Sequence, residues 1–116
     1  DPTTQAAIGI LHSNCGICHN PNSTLPYKAL DLWQRVGMLG SVPDTNVYQS
    51  TVRIPAGANP DGNGPPTLLV PGDPESSALI YRMRSRTAQV AMPPLGSNVV
   101  DEHGVETVSE FIRTLK

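Results

Sequence analysis

Apolar residues recur at helical spacing at both ends of the chain. Near the start, a periodic stretch of small and aliphatic residues predicts a helix over residues 3–14, with Thr3 or Thr4 capping its first turn. This helix runs directly into a pair of cysteines. At the other end, a second periodic stretch predicts a helix of about 15 residues that follows an N-cap at Asp101. Its apolar face comprises Val105, Val108, Ile112 and Leu115.

A third helix is predicted over residues 74–86. Asp73 is its expected N-cap and Pro74 occupies the first helical position, where a missing N–H costs nothing. Its inner face would carry Leu79, Ile80 and Met83. A weaker pattern predicts a short amphipathic helix over residues 29–39.

The remaining segments are rich in turn-forming residues. Residues 20–26 and 87–99 are predicted to be loops. Residues 40–72 contain six prolines and repeated Asn/Asp-Gly pairs, which exclude a long helix. Alternating apolar residues predict one short extended piece over residues 48–54. A connection of this length in a small domain usually has a function or covers another part of the molecule.

Composition narrows the class of protein. The chain has 116 residues, which fits one domain, or one domain cut from a larger chain. Its net charge is -2, so it lacks the positive electrostatic field expected of a protein that binds nucleic acid or a membrane surface. No apolar run is long enough to suggest a membrane span, and Asp1 looks like a mature or excised start. Only five aromatic residues are present, so the protein core is thin and something else is expected to fill the middle.

The chemistry is concentrated in Cys15-Gly16-Ile17-Cys18-His19. Cys-x-x-Cys-His is the spacing at which two thiols attach to one haem while the histidine binds its iron. A thioredoxin-like redox pair, half of a zinc site and a structural pair are the alternatives. Thioredoxin chemistry wants a strand before the motif, and a zinc site has only His12 and His103 as further thiol or imidazole donors. Covalent haem is the favoured interpretation.

A haem iron with one protein ligand needs a sixth. Met92 is predicted to supply it, because it lies on a proline-stiffened loop between two helices. Met38 and Met83 are interpreted as core filler, and His12 is too close to His19 along the entering helix. His103 is the credible rival.

Other polar groups have weaker functional interpretations. Candidate hydrogen-bond donors to haem propionates are Tyr27, Trp33, Tyr48 and Arg53. The three arginines at 82, 84 and 86 fan out around their helix, which favours a solvated surface over a partner-docking patch or propionate contacts. The Asn59-x-Asp61-x-Asn63-Gly64 segment mimics half of a calcium loop but has Val70 where a glutamate is required, so a turn is favoured.

These motifs resemble the class I c-type cytochromes, most closely the planctomycete-type domains. The resemblance rests on the Cys-x-x-Cys-His motif after a helix, Leu30-Asp31-Leu32, the segment Val70-Pro71-Gly72-Asp73-Pro74-Glu75-Ser76, Met92-Pro93-Pro94, and Glu110-Phe111-Ile112 in the last helix. It implies an all-α, class I cytochrome c-like fold with a few helices around one covalently bound haem c and long Pro/Gly-rich loops. Two departures are a segment 40–72 longer than in compact members and Phe111 where many relatives have Trp.

The function this implies is a mono-haem cytochrome with His19 and Met92 as axial ligands, carrying single electrons between unidentified redox proteins in the periplasm or elsewhere outside the cytoplasm, and not an enzyme. No nucleic acid or membrane span is expected. The alternative is a haem c electron-entry or gas-sensing domain of a larger multidomain enzyme, either fused to or docked on a dehydrogenase or other oxidoreductase.

Overall fold

The structure is a computed structural model that describes residues 1–25, 29–95 and 98–116. Within these ranges it contains four α-helices and no β-strand. The helices are α1 (Pro2–Leu11), α2 (Asn46–Thr51), α3 (Ala78–Arg84) and α4 (Glu102–Thr114). The all-α class predicted from the sequence agrees with this architecture. None of the described helices is long and apolar enough to cross a membrane.

The first helix begins one residue earlier than predicted. Asp1 is its N-cap and accepts a 3.0 Å hydrogen bond from the Thr3 backbone N–H, so the expected cap at Thr3 or Thr4 is wrong. Pro2 explains the difference, because proline suits the first helical position and leaves the cap to the residue before it. A π-helical turn, His12–Gly16, extends α1 into the cysteine motif, as predicted.

The last helix confirms its predicted start. The Asp101 carboxylate accepts a 2.9 Å hydrogen bond from the Gly104 N–H, and α4 then runs for 13 residues. Helix α4 packs against α1, and Ala7, Leu11 and Phe111 are all buried in the same cluster. This helix pair forms the centre of the apolar core.

The predicted helix over residues 29–39 is wrong. Only the short 3-10 turn Val36–Met38 is helical among them. The backbone N–H groups that a helix would use bond to distant acceptors instead. Leu32 donates to the His19 carbonyl oxygen at 2.8 Å, and Gln34 donates to His12 Nδ1 at 3.0 Å. The chain is therefore held extended beside the cysteine motif.

Residues 40–72 contain no long helix, as predicted, but they do contain α2. Tyr48 lies inside this helix, so the predicted extended piece over residues 48–54 is wrong at its start. Thr45 is the N-cap, and its side chain accepts a 3.2 Å hydrogen bond from the Tyr48 N–H. After α2, Val52 forms an isolated bridge with Leu69.

The helix predicted over residues 74–86 is present in two pieces. Asp73 caps the 3-10 turn Pro74–Ser76 by accepting from the Ser76 N–H, as expected. The chain is then extended at Ser77, whose hydroxyl bonds two backbone groups, before α3 begins. The described parts of the loops predicted at 20–26 and 87–99 contain no helix, and residues 26, 96 and 97 lie outside the described ranges.

Candidate functional site

The cysteine motif forms a tight turn at the end of α1. The backbone N–H groups of Cys18 and His19 both donate to the Cys15 carbonyl oxygen, at 3.1 and 2.8 Å. The Asn20 amide closes the turn by donating to the carbonyl oxygens of Gly16 and Ile17, at 2.8 and 3.1 Å. Local hydrogen bonds therefore fix the spacing of the two thiols and the imidazole.

Gly16 lets a second segment pass close to the motif. A Cβ at this buried position would lie 2.8 Å from the Leu32 carbonyl oxygen, closer than any side chain tolerates. The Leu32 N–H is bonded to the His19 carbonyl oxygen, so the two segments are joined backbone to backbone. This contact places Leu30 and Leu32 in the wall of a cavity next to His19.

The cavity has a volume of about 290 Å³. One wall is the strap, which we define as residues 54–58. Backbone hydrogen bonds hold the strap to the chain that follows it, from the Leu68 N–H to Ile54 at 2.8 Å and from the Ala56 N–H to Pro66 at 2.8 Å. Leu79, Arg82 and Met83 of α3 form another wall. The lining is mostly apolar, which suits an apolar ligand.

Three of the four predicted site residues line this one cavity. They are Cys15 and His19 of the motif, and Met92, which is far from both in the sequence. Cys18 is exposed and does not line the cavity, and both cysteines are free thiols. The fold thus brings the predicted proximal and sixth ligands to a common space.

Backbone hydrogen bonds on both sides fix the position of Met92. Its N–H donates to the Arg82 carbonyl oxygen at 3.1 Å, and its own carbonyl oxygen accepts from the Arg86 guanidinium at 3.3 Å. The same guanidinium donates to the Met83 carbonyl oxygen at 2.8 Å. The methionine loop is therefore attached to α3 and does not depend on its own stiffness alone.

Of the other candidate iron ligands, one lines the cavity and the rest do not. Met83 lines the same cavity as Met92, a position that the interpretation as core filler did not anticipate. His103 is exposed in the first turn of α4 and is not among the cavity residues, so Met83 and not His103 is the rival by position. His12 accepts a hydrogen bond from the Gln34 backbone N–H, and the centroid of its ring lies 4.6 Å from that of the Trp33 ring. Met38 lies away from the cavity lining.

The buried groups of the motif fit a haem. Burial, with a smaller effect from Cys18, raises the pKa of the Cys15 thiol to about 11. Burial and the nearby charge of Arg82 lower the pKa of His19, which favours the neutral imidazole that binds metals. His19 Nδ1 is buried without a hydrogen-bond partner among the described residues. An imidazole, a thioether and a thiol around an apolar cavity are the groups that hold a c-type haem.

Most of the polar groups considered as propionate donors lie elsewhere. Trp33, Tyr48 and Arg53 are not in the cavity lining, and Tyr27 lies outside the described residues. Trp33 is 41% exposed, so it is not a core residue either. Arg82 does line the cavity. The sequence does not show that Arg82 lines the cavity. The arginines of α3 lie on different faces of the helix, and only the fold shows which face is turned toward the cavity.

The segment that mimics a calcium loop is a turn, as expected. Its Asn59 side chain bonds the Gly64 backbone, and its Asp61 carboxylate accepts from the Tyr81 hydroxyl. The described residues contain no cluster of three or more acidic, histidine or cysteine ligands for a metal ion.

The described residues form a small helical domain, and part of its sequence is similar to a known family. Residues 50–96 match the model of the family described as planctomycete cytochrome C. The match confirms the family resemblance and supports a cytochrome c-type domain. The matched residues include the strap, α3 and Met92, while the Cys-x-x-Cys-His motif precedes them. No curated protein and no solved structure matches the chain.

Proposed function

We propose that this chain is a mono-haem c-type cytochrome that carries single electrons between redox proteins outside the cytoplasm. The observation that carries the proposal is the convergence of Cys15, His19 and Met92 on one apolar cavity. Haem, when bound, supplies a one-electron iron couple. The partners are an unidentified redox donor and an unidentified redox acceptor. The alternative is a domain fused to or docked on a dehydrogenase or other oxidoreductase, and no separate catalytic group is assigned to the chain.

Cys15 and Cys18 would hold the cofactor covalently. Each thiol would be joined to one vinyl group by a thioether bond, and because the thiol hydrogen would go to the vinyl group as well, the addition needs no external oxidant. Cys18 is exposed and Cys15 is half-buried, so the motif presents one thiol at the surface and one at the cavity wall.

His19 and Met92 are the residues that would supply the two protein ligands to the iron. The neutral imidazole of His19 is held by the turn that the motif forms, and the Met92 thioether is held through its backbone bonds to α3. Two protein ligands leave no position for a substrate, which suits an electron carrier. Thioether ligation also raises the reduction potential relative to bis-histidine ligation.

Two measurements on the purified protein test this function. Mass spectrometry of the peptide that contains the motif should show one haem attached through Cys15 and Cys18. The folded ferrous protein should resist carbon monoxide, whereas Met92→Ala should bind it and have a lower potential. A haem that acid-acetone extracts would contradict the attachment, and rapid carbon monoxide binding by the parent would favour a sensor or enzymatic haem.

A further inference from the structure

Arg82 places a cation at the wall of a mostly apolar cavity. Among the described residues it is the only Lys, Arg, Asp or Glu in the lining. Its guanidinium donates to two backbone carbonyl oxygens, to Ala58 of the strap at 3.1 Å and to Gln89 at 3.5 Å. These bonds orient the head group without neutralising its charge.

Other arginines of the chain do have carboxylate partners. Arg35 pairs with Asp31, and Arg84 pairs with Glu75 at 2.8 Å. Arg113 pairs with two glutamates of its own helix. Arg82 forms no ion pair within the described ranges, and the five positions outside them hold no Asp or Glu.

A cation beside an apolar cavity is costly unless an anion balances it. No carboxylate of the described residues pairs with Arg82, so the balancing charge is expected to come from the ligand that fills the cavity. Arginine suits this role because its planar fork matches the two oxygens of a carboxylate.

We propose that Arg82 binds a carboxylate of the cavity ligand, a propionate in the case of haem, and thereby helps to set the reduction potential. This inference rests on the proposed function. Arg82 is well placed for both effects. Its backbone carbonyl oxygen accepts from the Met92 N–H at 3.1 Å, and its guanidinium donates to Ala58 of the strap at 3.1 Å, so Arg82 is tied to both the methionine loop and the cavity wall.

The sign of the effect follows from charge. Oxidation adds a positive charge at the iron, and a nearby fixed cation disfavours that state. An unbalanced propionate would favour it. Removing the Arg82 charge should therefore lower the reduction potential for both reasons.

The test compares Arg82→Gln, Arg82→Lys and the control Arg84→Gln in the haem-loaded protein. Arg84 is two residues away on the same helix, is exposed, and does not line the cavity. Redox titration gives the potential, and resonance Raman spectra of the propionate bending mode report hydrogen bonding to the carboxylate. Mass spectrometry verifies that each variant carries covalent haem.

Arg82→Gln should shift the one-electron equilibrium toward the ferric form about tenfold, which is about 59 mV, and should shift the propionate mode. Arg82→Lys should have a reduction potential close to that of the parent, because it keeps the positive charge. Its propionate bending mode should still differ from that of the parent, because an ammonium lacks the planar fork. Arg84→Gln should match the parent in both. If Arg82→Gln fails to fold, the Raman comparison of Arg82→Lys with the parent decides.

An unchanged propionate mode in Arg82→Gln, with or without a change in potential, would overturn the pairing. The same holds for an unchanged mode in Arg82→Lys if only that variant folds. A shifted mode at an unchanged potential would overturn the redox part. A parent protein without covalent haem would instead overturn the proposed function, so the two failures are distinguishable.

Discussion

Truncation of Phe111 tests the contact between α1 and α4 on which the fold depends. Phe111 is 1% exposed, and it lies in the same buried cluster as Ala7 and Leu11. Burial of an aromatic residue removes about 150–250 Å² from water, which corresponds to about 4–6 kcal/mol at about 25 cal/mol per Å². Alanine keeps the Cβ and the neighbours relax partly, so Phe111→Ala should cost about 3–5 kcal/mol.

The assay is urea unfolding of the haem-loaded protein, followed by far-ultraviolet circular dichroism and by haem absorbance. The two signals should give coincident transitions, and the midpoint should fall at an unchanged slope. Val36→Ala is the control, because Val36 is 93% exposed and its truncation should change stability by less than about 0.5 kcal/mol. A loss below about 1 kcal/mol for Phe111→Ala would refute the packing argument.

Three further predictions concern the motif and the caps. Gly16→Ala should reduce haem-loaded yield and thermal stability, since its Cβ would meet a backbone oxygen at 2.8 Å, whereas Gly9→Ala has nothing within 4 Å and should stabilise α1 by about 0.5–1 kcal/mol. Equal effects of the two substitutions on melting temperature would contradict this. Hydrogen bonds from Ser76 lower the pKa of Asp73, so its contribution is present above the unfolded-state pKa of about 3.9 and is lost as the pH falls through the lower folded-state pKa. Asp73→Asn should therefore unfold less steeply on acid titration, and an identical titration would count against the cap. The Cys15→Ala/Cys18→Ala chain should be largely unfolded without haem, as a flat thermal scan by circular dichroism would show, and a cooperative transition like that of the parent would argue otherwise.

The elements with local signals were predictable from the sequence. Helix α4 has an aspartate cap and an apolar stripe that repeats at helical spacing, and both survive in the structure. The cysteine motif is equally local, since its turn is held by hydrogen bonds between residues three or four positions apart. In each case the residues that stabilise the feature lie close to one another in the sequence.

Elements fixed by distant partners were not predictable in this way. Residues 29–39 have a helical pattern, but their backbone donors bond to His19, His12 and the Ser50 hydroxyl. Helix α2 was missed because the alternating apolar residues over 48–54 suggested an extended chain. Thr45 as a cap and the buried pair Val47 and Thr51, four residues apart, were the available signals.

The candidate site likewise contains residues that local motifs predicted and residues that only long-range contacts bring to the cavity. The sequence predicted Cys15, His19 and Met92 from motif chemistry, and the fold places all three at one cavity. It did not predict that the strap would form a wall, because Ile54 and Ala56 are held by hydrogen bonds to Leu68 and Pro66, well outside their local sequence. Nor could helical spacing alone separate Arg82 from its neighbouring arginines.

The central claim is that Met92, and not the neighbouring Met83, binds the iron opposite His19. The near-infrared spectrum of the ferric protein tests it most directly, because a sulfur-to-iron charge-transfer band reports thioether ligation. The parent and Met83→Leu should both show this band, and Met92→Ala should lose it. Loss of the band in Met83→Leu with retention in Met92→Ala, or its absence from the folded parent, would contradict the account.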